Sequence, residues 1–126
     1  MLTPDIIRSF VKGISPVVFL SCGFEHCMAL TLNGQVFTWG YGASGCLGHG
    51  NYISYTQPKL VTAGGLQYKR VTFAESGGYH SAALTTDGHL YTWGRADVGQ
   101  LGLPEPFLKT DSLGKVATVP MHVSYF

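Results

Sequence analysis

Two stretches of this chain spell one pattern, 54 positions apart. Gly23, His26, Trp39 and Gly48 return as Gly77, His80, Trp93 and Gly102, all with the same offset. A fixed period of this size marks a stacked or ring-like repeat architecture, in which no unit buries its apolar face alone. Function must therefore be argued for an assembled array, of which this chain holds a small part.

Within each unit the strand signals dominate. Val17-Val18-Phe19-Leu20 is a short apolar run before a glycine. His26 to Leu32 follows, then Asn33-Gly34, then Gln35-Val36-Phe37-Thr38-Trp39. Two strand-like runs around Asn-Gly predict a hairpin whose two turn positions both take φ > 0. The second unit repeats this with Asp87-Gly88 between Ala82 to Thr86 and His89 to Trp93. Pro4-Asp5-Ile6-Ile7, Pro58-Lys59-Leu60-Val61 and Pro120-Met121-His122-Val123 each read as a strand leading its unit, with proline suited to an edge. The third arrives eight residues late, so 103–118, with Pro104, Pro106 and Gly114, reads as an enlarged loop. These landmarks divide the chain into a first repeat over about 4–57, a second over 58–119 and the start of a third over 120–126. Residues 5–12 have some amphipathic helical character, but the matching 59–62 reads as strand. Short strands with glycine-rich turns, about four to a unit, predict an all-β protein built of propeller blades.

Composition narrows the function classes. Charged residues make up 12% of the chain, about half the usual ~25%. Few charges and many apolar side chains predict surface covered by more protein. The formal net charge is +1 and Lys69-Arg70 is the sole adjacent basic pair, a poor footprint for nucleic acid. No run approaches the roughly 20 apolar residues of a membrane span. The first twenty residues contain Pro4, Asp5, Arg8, Lys12 and Pro16, and lack the compact apolar core of a signal peptide. The three cysteines are Cys22, Cys27 and Cys46, an odd number, and Cys22 and Cys27 align with Ser76 and Ser81. That argues against a disulfide framework and for reduced interior thiols in an intracellular setting, cytoplasmic or nuclear, with organelles left open.

The repeated residues resemble a known family. Gly23-x-x-His26, Ala29-Leu30-Thr31, Gly34-x-Val36-Phe37-x-Trp39-Gly40 and Gly45-x-Leu47-Gly48 are similar to the repeat of the RCC1 (regulator of chromosome condensation) family. So are Gly77-x-x-His80, Ala83-Leu84-Thr85, Asp87-Gly88-x-Leu90-Tyr91-x-Trp93-Gly94 and Gly99-Gln100-Leu101-Gly102. The resemblance runs from Pro4 to about Val123. It implies a seven-bladed β-propeller with blades of roughly 50 residues, of which this chain supplies two and the leading strand of a third. Two blades cannot close a ring, so further blades are expected from the parent chain or from another chain.

Each motif has a structural and a functional reading. His26 and His80 occupy one repeat position, so they point along a ring and do not converge on one metal; the structural reading, an imidazole tying neighbouring loops, is favoured. Trp39 and Trp93, each followed by a glycine (Gly40, Gly94), are read as packing between blades and not as a chromophore. His49 and His89 are unrepeated and expected at the surface. The G-x-G of Gly40-Tyr41-Gly42 leads into no helix and is a connecting loop, not a dinucleotide site. No nucleophile with a matched base, paired carboxylate or phosphate loop is present, so no catalytic residue, cofactor or metal is expected. The variable loops carry the partner-binding candidates: Tyr41, Ser44, Arg95 and Asp97, and, in the enlarged loop, Pro104, Phe107 and Leu108. The favoured function is a protein-interaction scaffold docking within a larger assembly. The resemblance also implies guanine-nucleotide exchange on a small GTPase, or a regulatory propeller of a larger ubiquitin ligase or kinase. Direct nucleic-acid binding is not expected.

Overall fold

The computed structural model describes residues 16–43, 45–95, 109–111 and 114–123. They form two antiparallel sheets in sequence order. The first has β1 (Val17–Cys22), β2 (His26–Thr31), β3 (Val36–Gly40) and β4 (Tyr55–Leu60), in the order β1-β2-β3-β4. A tight 3-10 segment, Ala63–Tyr68, leads to the second sheet. This has β5 (Val71–Ser76), β6 (His80–Thr85), β7 (Leu90–Arg95), β8 (Lys109–Asp111) and β9 (Gly114–His122), in the order β5-β6-β7-β9-β8.

The sequence period carries through to register. Cys22 pairs with Cys27 and Cys27 with Trp39; Ser76 pairs with Ser81 and Ser81 with Trp93. The irregularity between Val17 and Phe19 returns between Val71 and Phe73. Each sheet follows meander connectivity, as propeller blades do.

Three expectations are corrected. Of the stretch 103–118, read as an enlarged loop, 109–111 is strand β8 and 114–118 belongs to strand β9. Of the proline-led runs, 4–7 lies outside the described residues, and the other two do not lead the next sheet. Lys59 and Leu60 pair with Thr38 and Phe37 on β3, and Met121 and His122 pair with Thr92 and Tyr91 on β7. Each such strand closes the sheet before it, so sequence repeat and sheet are out of phase by one strand. Proline is tolerated because β4 is an edge, and β8 pairs with β9 only over Gly114–Val116, short of Pro120.

The hairpin turns also differ. Among the described residues none other than glycine has positive φ; Gly34 (φ 87) and Gly88 (φ 82) do. Gly34 N–H donates to the Thr31 carbonyl and Thr31 N–H to the Gln35 carbonyl. The loop is therefore three residues, Leu32-Asn33-Gly34, with only the last left-handed. Asn33 stays right-handed because its Oδ1 accepts from the Thr31 hydroxyl, which in turn accepts from Gln35 N–H. Thr85, Asp87 and His89 repeat the arrangement.

The main core lies between the sheets. Met28, Leu30 and Val36 of the first sheet meet Ala74, Ala83, Tyr91 and Trp93 of the second, with Val61, Leu66 and Ala117 closing the outer side. A second cluster, Cys27, Ala29 and Trp39 with Val17, Phe37 and Tyr55, lies on the far face of the first sheet. Side chains on β2 point alternately to these two clusters, which explains why every residue of β2 is buried.

Candidate functional site

The repeated residues assemble a polar clasp across the seam between the sheets. His26 opens β2, where the Gly23 N–H to His26 carbonyl bond closes the preceding turn. His26 Nε2 lies 2.9 Å from Ser81 Oγ on β6. Ser81 Oγ donates to the Cys46 carbonyl at 2.9 Å, and Trp93 Nε1–H donates to the same oxygen at 2.9 Å. A hydroxyl has one proton, and that of Ser81 goes to Cys46. Ser81 therefore accepts from His26, which is neutral and protonated on Nε2.

His26 Nδ1 is buried with no hydrogen-bond partner among the described residues. A proton added there would bring charge into a dry site. Burial, with His80 adding to it, accordingly lowers the His26 imidazole to about 4.

Glycine makes the clasp fit. Gly48 (φ 79) rests on the Trp93 indole, where a Cβ would stand 2.7 Å from Nε1. The motif Gly45-x-Leu47-Gly48 is thus a seat for the tryptophan of the following sheet. Further ties flank it. Ser76 N–H donates to Ser21 Oγ at 2.9 Å. At the opposite end, Val71 N–H donates to the Gly34 carbonyl at 3.0 Å and the Arg70 guanidinium to the Leu32 carbonyl at 2.9 Å.

The remaining sequence candidates fall in different places. His80, the counterpart of His26, is half-buried on the second sheet; strand alternation turns it away from Ser81 and the seam. Trp39 is buried in the far-face cluster, and Gly40 and Gly94 pair with His26 and His80. Arg95, read from sequence as a loop residue, is the last residue of β7 and only 5% exposed, because β9 pairs with it through Val116. Tyr41 is 52% exposed. Ser44, Asp97, Pro104, Phe107 and Leu108 lie outside the described residues. His49 is half-buried, its Nε2 2.9 Å from the Thr38 hydroxyl, whereas the His89 side chain is 42% exposed, its ring tilted against that of His122. Cys27 and Cys46 are interior thiols, whereas Cys22 is exposed.

Sequence reasoning missed two features. One is Ser81 as the acceptor from His26; its alignment with Cys27 registered only as a small strand residue. The other is Phe24, which joins the candidate Tyr41 and the unrepeated Tyr79 in an aromatic rim. The turns after β1 and β5 and the loop after β3 share one end of the sheets. They present Phe24 (80% exposed), Tyr79 (45%) and Tyr41, with the Phe24 and Tyr79 rings edge to face at 5.7 Å.

Chemically, the clasp holds sheets together; its hydroxyl and indole protons are already engaged. Among the described residues no group of three or more His, Cys, Asp or Glu is placed to hold a metal ion, and no helix is long and apolar enough to cross a membrane.

Two antiparallel sheets stacked face to face, with one shared register and a clasp across the seam between them, are consecutive blades of a β-propeller. Two family models described as regulator of chromosome condensation (RCC1) repeat match the chain, one over residues 33–84 and 87–126, the other over 17–46 and 71–100. The chain belongs to the RCC1 repeat family. It is 45% identical over 99 residues to the E3 ubiquitin-protein ligase HERC2 of Homo sapiens, covering 79% of this chain and 2% of that protein. It is 41% identical over 104 residues to the serine/threonine-protein kinase Nek8 of Danio rerio, covering 81% of this chain and 15% of that one. The crystal structure of Prp20p from Saccharomyces cerevisiae superposes with a TM-score of 0.74 at 26% identity, over 90% of this chain and 28% of Prp20p. The chain therefore spans a small share of each relative.

Proposed function

We propose that this chain is a protein-docking segment of an RCC1 propeller, in which the seam gives rigidity and the aromatic rim meets the partner. The observation that carries this reading is the rim of Phe24, Tyr79 and Tyr41, exposed together at one end of the sheets, with the Phe24 and Tyr79 rings in contact, while Trp39 and Trp93 are buried. Aromatic side chains presented on rigid turns are the residues that dominate protein interfaces. The similarity to a ubiquitin ligase and a protein kinase supports carriage of such a module within larger proteins, with any chemistry outside these repeats. The free thiols support a reducing, intracellular setting. The candidates Pro104, Phe107 and Leu108, which lie outside the described residues, belong to the same proposal as a second contact.

A photo-crosslinking residue placed at position 24 tests this reading. Capture of one defined protein, lost when Tyr79 and Tyr41 are changed to serine, supports it. Labelling no greater than from position 32, at the opposite end, removes it.

A second reading, guanine-nucleotide exchange, is supported by the similarity to Prp20p, whose structure is described together with its binding properties to Gsp1p and histones. Faster release of fluorescent nucleotide from a small GTPase supports exchange; an unchanged rate leaves docking alone.

A further inference from the structure

We propose that Cys22 and Cys27 are a redox-modification site, at which mild oxidation by a peroxide closes a disulfide across the β1–β2 turn. The two residues are direct register partners and their Sγ atoms lie 2.9 Å apart. The adjoining pair, Gly23 and His26, is hydrogen-bonded at 2.8 Å. Bonded and non-bonded pairs alternate along an antiparallel ladder, so Cys22 and Cys27 form a non-bonded pair, with Cα atoms about 4.5 Å apart. A disulfide accommodates Cα separations of about 4.4–6.8 Å. The bond forms by turning two side chains on a backbone that already holds them.

The two thiols differ in a way that assigns their order of reaction. Cys22 is exposed and meets an oxidant from solvent; Cys27 is buried directly behind it. The Cys22 sulfur, as its thiolate, attacks one oxygen of hydrogen peroxide. The O–O bond breaks, leaving a sulfenic acid on Cys22 and, with a proton, one water. The Cys27 sulfur displaces the sulfenic hydroxyl, which leaves with the Cys27 proton as a second water. Two thiols have given up two protons and two electrons, and the peroxide has taken them. Attack by a small thiol such as glutathione reverses the bond.

This chemistry is confined to one sheet. At the same register the second sheet carries Ser76 and Ser81, and Ser81 is bonded to His26. Cys27 stands at the corresponding place in the far-face cluster beside Trp39. Oxidation therefore removes a thiol from the face of the first sheet that points away from the second.

The test is peptide mapping of the native chain after hydrogen peroxide treatment and alkylation. Cleavage after Lys12 and Lys59 places all three cysteines on one peptide. The expected peptide has lost the mass of two hydrogens and carries one alkyl group in place of three. Cleavage after Glu25, which lies between the two cysteines, leaves the halves joined until a reductant is added. Cys46→Ser retains this linkage and Cys22→Ser abolishes it. Three alkyl groups after treatment, oxygen addition at Cys22 without linkage, or a linkage that persists in Cys22→Ser each overturn the proposal. If either variant folds poorly, the position of the single alkyl group on the wild-type peptide decides: on Cys46 it supports the proposal, on Cys27 it overturns it.

Discussion

His26 reaches across the seam to Ser81 as a neutral imidazole, its Nε2–H donating at 2.9 Å to a hydroxyl already turned toward Cys46. Protonation at the buried Nδ1 would leave this bond in place but bring a charge into a buried site that offers it no partner, which makes the assembly sensitive to acid. The His26 imidazole is lowered to about 4 by burial, with His80 adding to it. His49 is lowered to about 4 by burial and by Lys59.

A group whose folded pKa lies below its unfolded value of about 6.5 binds protons preferentially in the unfolded chain between the two values. Stability at these groups is therefore complete above pH 6.5 and falls as the pH drops toward 4. Denaturant unfolding at a series of pH values should show this loss, and His26→Gln should make it shallower. A curve flat over that window contradicts the buried, neutral His26.

Gly48 and Gly88 share a left-handed backbone, φ 79 and 82, but not surroundings: a Cβ on Gly48 meets the Trp93 ring, whereas one on Gly88 meets nothing within 4 Å. Gly88→Ala should cost about 1–2 kcal/mol, the strain of a left-handed alanine. Gly48→Ala should cost more, since Trp93 must also leave its seat. Denaturation midpoints check the order, and equal losses would remove the seat from the account.

Trp93 is fully buried and bonded to the Cys46 carbonyl. Trp93→Ala should destabilise by roughly 3–5 kcal/mol. Trp93→Phe retains most of the apolar contact and should lose about 0.5–1.5 kcal/mol for the indole hydrogen bond, since Ser81 still donates to the Cys46 oxygen. Chemical denaturation separates the two, and a loss below about 1 kcal/mol for alanine contradicts burial.

The cysteines should alkylate in a fixed order. Burial pushes the Cys46 thiol up to about 12, and burial with the Cys22 thiol beside it pushes Cys27 to about 12. Cys22 is exposed. Under reducing conditions iodoacetamide should modify Cys22 first and Cys46 only on unfolding, as read by mass spectrometry. Comparable rates at Cys22 and Cys46 would contradict the packing around β3.

Much of this fold was legible because the repeat appears in both chemistry and spacing. Gly23, His26, Trp39 and their counterparts mark strand ends, and register follows them through both sheets. The phase of the proline-led strands was not legible: a period states what recurs, not where one sheet stops. The turn type was missed because Asn-Gly suits two loop lengths, and the Thr31 hydroxyl bonded to Asn33 selects the longer. Arg95 was misplaced because β7 runs one residue past the Trp-Gly pair. The clasp was only half legible. His26 and Trp93 stand out as repeated side chains, but they meet on Ser81 and on a backbone oxygen of Cys46, and a carbonyl leaves no mark in sequence.

The most direct test of the two-blade account is a double-mutant cycle between His26 and Ser81, using His26→Gln, Ser81→Ala and both together, read by denaturant unfolding at neutral pH. Residues bonded across a seam should couple, with an interaction energy of roughly 0.5–3 kcal/mol. Losses that simply add would mean that the two sheets are not joined through this contact.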